Sequence, residues 1–209
     1  MDNMDFDFVP VPLVSTEAPD FTATAVMPDN SFKNDFKLSD YRGKYVVLFF
    51  YPLDFTFVCP SEIIAFDESL QEFLDLDCEV VGVSVDSYHA HLAWKHTPVD
   101  RGGIGPIRFP LVGDLDKSIA RRYGVLADEE VALRGSFLID PERIVRHMSV
   151  NDLDLGRGIP ETLRILKALR HVRQTEEVCP ANWEPGMPAM VPNPEGVAKY
   201  LKGITADRS

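Results

Sequence analysis

Residues 49–62 read FFYPLDFTFVCPSE. A run of strand-forming residues stops at Pro52, a short mixed stretch follows, and Cys59 stands directly before Pro60. On the N-terminal side, KYVVLFFY at 44–51 is almost continuously apolar, β-branched and aromatic. That pattern predicts a central strand buried on both faces. On the C-terminal side, Ile63, Phe66, Leu70 and Phe73 recur at three- and four-residue spacing, which predicts a helix from Pro60 to about residue 76. Pro60 suits the first helical position, where no backbone donor is needed. A thiol is therefore expected at, or just inside, the N-terminus of a helix that follows a central strand.

Working outward, CEVVGVSVDS at 78–87 reads as a second buried strand and HAHLAWKH at 89–96 as a short helix. FPLVGD near 109–114 and SIARRYG near 118–124 give a further strand and helix. LRGSFLID at 133–140 and RIVRHMSV at 143–150, joined through Asp140-Pro141-Glu142, predict a hairpin with a tight turn. From Pro160 a helix carries Leu163, Leu166 and Leu169 to about Gln174. Residues 180–196 hold five prolines and two glycines and read as an extended arm. Alternating strands and helices followed by a hairpin predict an α/β fold with a mixed sheet. The expected division is a domain over 1–174 and a C-terminal arm over 175–209.

The formal charge of −12, from 33 acidic and 21 basic side chains, argues against nucleic acid or an anionic membrane surface as a partner. The longest apolar run, YVVLFFY, is too short to span a bilayer. The N-terminal MDNMDFDF is acidic and lacks the basic and apolar regions of a signal peptide, so a cytoplasmic location is expected. The three cysteines, Cys59, Cys78 and Cys179, are odd in number and form no C-x-x-C, which argues against a disulfide framework or a zinc site.

At a helix N-terminus the free backbone N–H groups and the dipole favour a thiolate over a thiol. With a cation nearby such a cysteine reaches a pKa of ~3.5–7.5. Thr56, three residues earlier, offers a hydroxyl beside the sulfur, and Pro52 a rigid wall with no competing donor. The alternative is that Cys59 fills a gap in the core. Cys78, opening a buried strand, reads as a core residue. His89, His91 and His96 read as hydrogen-bonded or solvated rather than as metal ligands, because an H-x-H pair on a helix splays its side chains onto different faces. Arg121 and Arg122 read as surface charges at a helix C-terminus. Gly102-Gly103-Ile104-Gly105 lacks the strand, lysine and helix of a phosphate loop and reads as a flexible turn.

The spacing P-x-x-x-T-x-x-C, present as Pro52, Thr56 and Cys59, resembles the active-site signature of the peroxiredoxins. FYPLDFTFVCPSEIIAF is similar to the typical two-cysteine branch, and EVCPANWEPG at 177–186 to the segment holding that branch's resolving cysteine, here Cys179. GVSVDS, HLAW, GGIGP, YGVL, LRGSFLID, NDLDLGR and ETLR follow in the family's order, so the resemblance spans roughly residues 16–205. It implies a thioredoxin-like fold, with a central mixed β-sheet flanked by helices. It also implies a thiol-dependent peroxidase acting on hydrogen peroxide and organic hydroperoxides.

In that family the Cys59 thiolate attacks the peroxide and becomes a sulfenic acid. Arg134, matched in LRGSFLID, lowers the thiol pKa and holds the peroxide oxygens. Thr56 and the Cys59 N–H complete the donor set, and Pro52 shields the sulfenate. Glu62 and Arg157 match positions that orient the arginine. Cys179 of a partner subunit then forms a disulfide within a head-to-tail dimer, reopened by thioredoxin or a flavoprotein disulfide reductase. No metal, haem or flavin cofactor is implied. Homodimers assembling into a decamer, with a possible chaperone activity, are expected on the same ground. GG-x-G with a Tyr-Phe pair marks members readily over-oxidised by excess peroxide. Tyr200-Leu201 departs from that pair, and an intermediate sensitivity is expected. Rival readings are a redox-regulated chaperone or scaffold, a thioredoxin-type oxidoreductase and a cysteine hydrolase. The second lacks another sulfur in Pro60-Ser61-Glu62, and the third lacks a histidine placed to activate Cys59.

Overall fold

The computed structural model describes residues 12–206; the acidic N-terminus on which the location was read lies outside them. Nine strands alternate with six helices among the described residues. The strands are β1 (Thr22–Val26), β2 (Phe32–Lys37), β3 (Tyr45–Phe50), β4 (Cys78–Ser84), β5 (Leu111–Gly113), β6 (Leu126–Ala127), β7 (Val131–Ala132), β8 (Arg134–Ile139) and β9 (Val145–Asn151). The helices are α1 (Cys59–Glu68), α2 (Leu70–Asp75), α3 (Tyr88–His96), α4 (Ser118–Arg122), α5 (Ile159–Thr175) and α6 (Pro194–Ala206). Seven strands form one sheet in the order β2-β1-β5-β4-β3-β8-β9, and β6-β7 form a small ribbon. The pairs β3–β4 and β4–β5 are parallel, while β3–β8, β8–β9, β1–β5 and β1–β2 are antiparallel. The mixed sheet is the one the sequence predicts.

All six residues of β3 are buried, because both faces of the sheet are covered. Val47 and Phe49 enter a core with Ile63, Phe66 and Phe73 of α1 and α2, Leu163 and Leu166 of α5, and Trp94 of α3. Val46, Leu48 and Phe50 enter the opposite core with Val81, Val83, Ile119 and Tyr123. Phe49 stacks on Phe66 with ring centroids 4.4 Å apart. Beside it, a Cβ on Gly82 would lie 2.9 Å from the Phe49 ring and 2.8 Å from Leu111, so only glycine lets the strand pass. No described helix is long and apolar enough to cross a membrane.

Four features differ from the sequence reading. The helix after Cys59 breaks at Ser69, yet Leu70 and Phe73 keep the buried face of Ile63 and Phe66, so the apolar period runs across the break. The β1–β2 hairpin went unread because its strands, TATAV and FKNDFK, consist mostly of small or polar residues and are half exposed. The GG-x-G turn is packed rather than flexible. A Cβ on Gly103 would meet the Thr97 carbonyl oxygen at 1.8 Å, and Trp94 Nε1 donates to Gly102 O at 2.8 Å. The arm is extended only to Asn193, whose Oδ1 accepts from Gly196 N at 2.7 Å and caps α6, with Pro194 at its first position.

Candidate active site

Strand β3 delivers the chain to Tyr51 and Pro52, both buried, and a six-residue loop leads to Cys59, the first residue of α1. The Cys59 side chain is wholly buried. Thr56 Oγ1 lies 3.0 Å from its sulfur and 2.9 Å from Leu53 O. One hydroxyl proton serves these two acceptors, and it turns to the sulfur when the sulfur is anionic.

Arg134 opens β8, the strand paired with β3 on the side away from β4. Its Nη1 lies 3.3 Å from Cys59 Sγ and 2.6 Å from Glu62 Oε2, and its Nε donates to Leu153 O at 2.7 Å. Glu62, one turn into α1, is also held by Arg157. Oε1 accepts from the Arg157 backbone N at 2.9 Å and Nε at 2.8 Å, and Oε2 accepts from Nη2 at 2.9 Å. Arg157 Nη1 donates onward to Phe50 O at 2.7 Å and Gly135 O at 2.9 Å, which fixes it across β3 and β8. Its guanidinium also sits 5.0 Å from the Phe49 ring centroid. Two guanidiniums face one carboxylate in a buried cluster, with the Cys59 sulfur beside one of them.

Burial pushes the Glu62 carboxyl up, but the hydrogen bonds and charge of Arg157, with the charge of Arg134, outweigh it and hold the group below the ordinary range. A carboxyl depressed in this way stabilises the fold above its unfolded value near ~4.3, and that share is lost as pH falls through the folded value. Thermal melts from pH 7 down to pH 3 are therefore expected to drop more steeply for wild type than for Glu62→Gln. Equal slopes would contradict the assignment.

Cys179 lies half-buried on the arm, its Sγ 3.6 Å from Ala168 O of α5. Burial pushes its thiol up. Arg164 Nη1 donates to Trp183 O at 2.9 Å, His171 Nε2 lies 3.1 Å from Glu177 Oε2, and the His171 and Trp183 rings stand 4.7 Å apart. These contacts dock the arm on α5. Ala168 is nine residues, about 14 Å of helix, beyond the end of α5 nearest Glu62. The chain therefore does not bring its own Cys59 and Cys179 together, and both are free thiols. Cys78 is buried, with its thiol pushed far up by desolvation, as a core residue should be. His89 and His96 are exposed whereas His91 is wholly buried and bonded to Asp54, so the three do not converge. Asp54 was missed by sequence reasoning; a lone acid between Leu53 and Phe55 was the available signal.

The model of the AhpC/TSA family matches residues 14–148, and that of the C-terminal domain of 1-Cys peroxiredoxin matches residues 168–203. The chain belongs to the AhpC/TSA family. It is a peroxiredoxin of the two-cysteine type, an oxidoreductase. Peroxiredoxin-1 of Gallus gallus is 53% identical over 189 residues, covering 90% of this chain and 94% of the relative. The mitochondrial thioredoxin-dependent peroxide reductase of Homo sapiens is 52% identical over 194 residues, 92% of this chain and 75% of the relative. The crystal structure of reduced Plasmodium vivax 2-Cys peroxiredoxin superposes with a TM-score of 0.90 at 52% identity, over 92% of this peroxiredoxin and 100% of that chain.

Proposed function

We propose that this peroxiredoxin reduces hydrogen peroxide and organic hydroperoxides, with Cys59 as the attacking thiolate and Cys179 of a partner subunit as the resolving thiol. The observation that carries the reading is the convergence of Arg134 Nη1, at 3.3 Å, and Thr56 Oγ1, at 3.0 Å, on a buried sulfur at a helix N-terminus. Sulfur takes the terminal oxygen as the O–O bond breaks. The electron pair leaves on the second oxygen, which gains a proton and departs as water or alcohol. Fixed donors stabilise the charge that develops along this path. Arg134 and Thr56 act on the peroxide oxygens, Glu62 and Arg157 hold Arg134, and Pro52 closes the pocket. The Cys179 thiolate then attacks the Cys59 sulfenic acid, forming the S–S bond and releasing hydroxide, which leaves as water. This stops the oxidation ladder before sulfinic acid.

A dithiol supplies the two electrons that reopen the bond. The thioredoxin-dependent human relative supports thioredoxin as the donor, with a flavoprotein disulfide reductase as the other candidate. The distance along α5 supports pairing between subunits. Phe57, 97% exposed, and Phe55, 53% exposed, form an apolar surface beside the site that supports a homodimer assembling into a decamer. A reducing compartment such as the cytoplasm suits three free thiols. Tyr200 and Leu201 both lie in α6, and we retain the intermediate over-oxidation sensitivity. With hydrogen peroxide, thioredoxin and its reductase, NADPH consumption is expected in wild type and none above background in Cys59→Ser. Turnover in Cys59→Ser would overturn the proposal.

A further inference from the structure

The loop that brings Thr56 to Cys59 is fastened through one side chain, Asp54, which is 7% exposed between two exposed apolar neighbours, Leu53 and Phe55. Its Oδ1 accepts from the Tyr51 hydroxyl at 3.0 Å, its Oδ2 lies 2.7 Å from His91 Nδ1, and its backbone N donates to Asp86 Oδ2 at 2.6 Å. Asp86 N donates in turn to Ser84 Oγ at 3.1 Å. The other nitrogen of the buried His91 ring, Nε2, faces Val112 O at 3.2 Å. Asp54 is thus tied to the end of β3, to α3, to β5 and to the turn after β4. The next residue, Phe55, is held at a φ of +54°, a conformation a bulky residue keeps only when its surroundings impose it. None of these polar groups bonds the Cys59 sulfur, and no step above uses them.

We infer that Asp54 and His91 are positioning residues for peroxide reduction: their buried pair holds the loop so that the Thr56 hydroxyl and the Cys59 sulfur meet the peroxide in register. The inference rests on Cys59 being the reacting thiol. Thr56 Oγ1 is bonded to Leu53 O at 2.9 Å, so the hydroxyl and its acceptor straddle Asp54, and release of Asp54 shifts both. Misplacement by about 1 Å costs a rate on the order of a hundredfold. The two ring nitrogens of His91 face Asp54 Oδ2 and Val112 O. Asp54→Asn keeps a polar partner at each of these places. The asparagine carbonyl accepts from Tyr51, its amide donates to Nδ1, and Nε2–H still reaches Val112.

The test compares wild type, Asp54→Ala and Asp54→Asn in two rates measured on the reduced full-length protein. One is the consumption of hydrogen peroxide, the other the alkylation of Cys59 by iodoacetamide, which needs no alignment of peroxide oxygens. Asp54→Ala is expected to slow the first by about a hundredfold and leave the second within a few-fold, and Asp54→Asn to recover most of the loss. Equal peroxide rates in wild type and Asp54→Ala overturn the inference, and so does a parallel loss of both rates. Should Asp54→Ala not fold, His91→Asn, whose amide takes the place of Nδ1, is expected to outpace His91→Leu, and equal rates in that pair overturn it. Peroxide consumption persisting in Cys59→Ser marks failure of the Cys59 reading instead.

Discussion

Arg134→Met is expected to slow the reaction of the reduced protein with peroxide by about 10²–10³-fold, with the fold intact. Arg134 Nη1 is shared between the Cys59 sulfur and Glu62, so its loss removes the cation from the place where charge develops. Glu62 keeps Arg157, which supplies three of its four hydrogen bonds, so no buried carboxylate is orphaned. Methionine fills a similar volume without a donor. Arg134→Lys is expected to recover little, because one ammonium cannot serve sulfur, Glu62 and Leu153 O with the fixed fork of a guanidinium. Stopped-flow peroxide consumption, with a thermal melt as control, reads the effect. A wild-type rate in a folded Arg134→Met protein would remove Arg134 from the chemistry.

Cys179→Ser is expected to separate the two halves of the reaction. The first equivalent of peroxide should be consumed at the wild-type rate, since Cys179 lies against Ala168 and contacts none of the groups around Cys59. Turnover with thioredoxin should then fall to background. The trapped sulfenic acid should add a second oxygen with excess peroxide, seen by mass spectrometry as sulfinic acid at Cys59. In wild type the resolving step should quicken as pH rises, because burial pushes the Cys179 thiol up and the thiolate is the attacking form. Sustained turnover in Cys179→Ser would assign resolution to another thiol.

What could be read from the sequence follows from where each signal is stored. Strand β3 was legible because burial on both faces makes its apolar run continuous, and the start of α1 because Pro60 marks it. Pro52, Thr56 and Cys59 span one short loop and the start of α1, so their spacing is itself local geometry. Arg134 is 75 residues from Cys59 and arrives only through the antiparallel pairing of β3 with β8. No periodicity encodes that contact, and only the family resemblance pointed to it. Asp54 went unread because the apolar residues around it suggest packing, whereas the partners that make its burial tolerable come from α3 and the turn after β4. The α6 cap at Asn193 was hidden among prolines that read as breakers, although Asn-Pro-Glu is also a helix start. The hairpin β1–β2 buries only Ala25, Val26 and Phe36 and carries too little apolar pattern to declare itself.

The decisive measurement is a non-reducing gel of the reduced protein after one equivalent of hydrogen peroxide, run beside Cys59→Ser and Cys179→Ser. A dimer-sized band in wild type, absent from both variants, is the predicted result and joins Cys59 to Cys179 across subunits. A monomer-sized wild type that has lost two thiols would make the bridge intrachain, and a wild type that consumes no thiol would return Cys59 to the core as a packing residue.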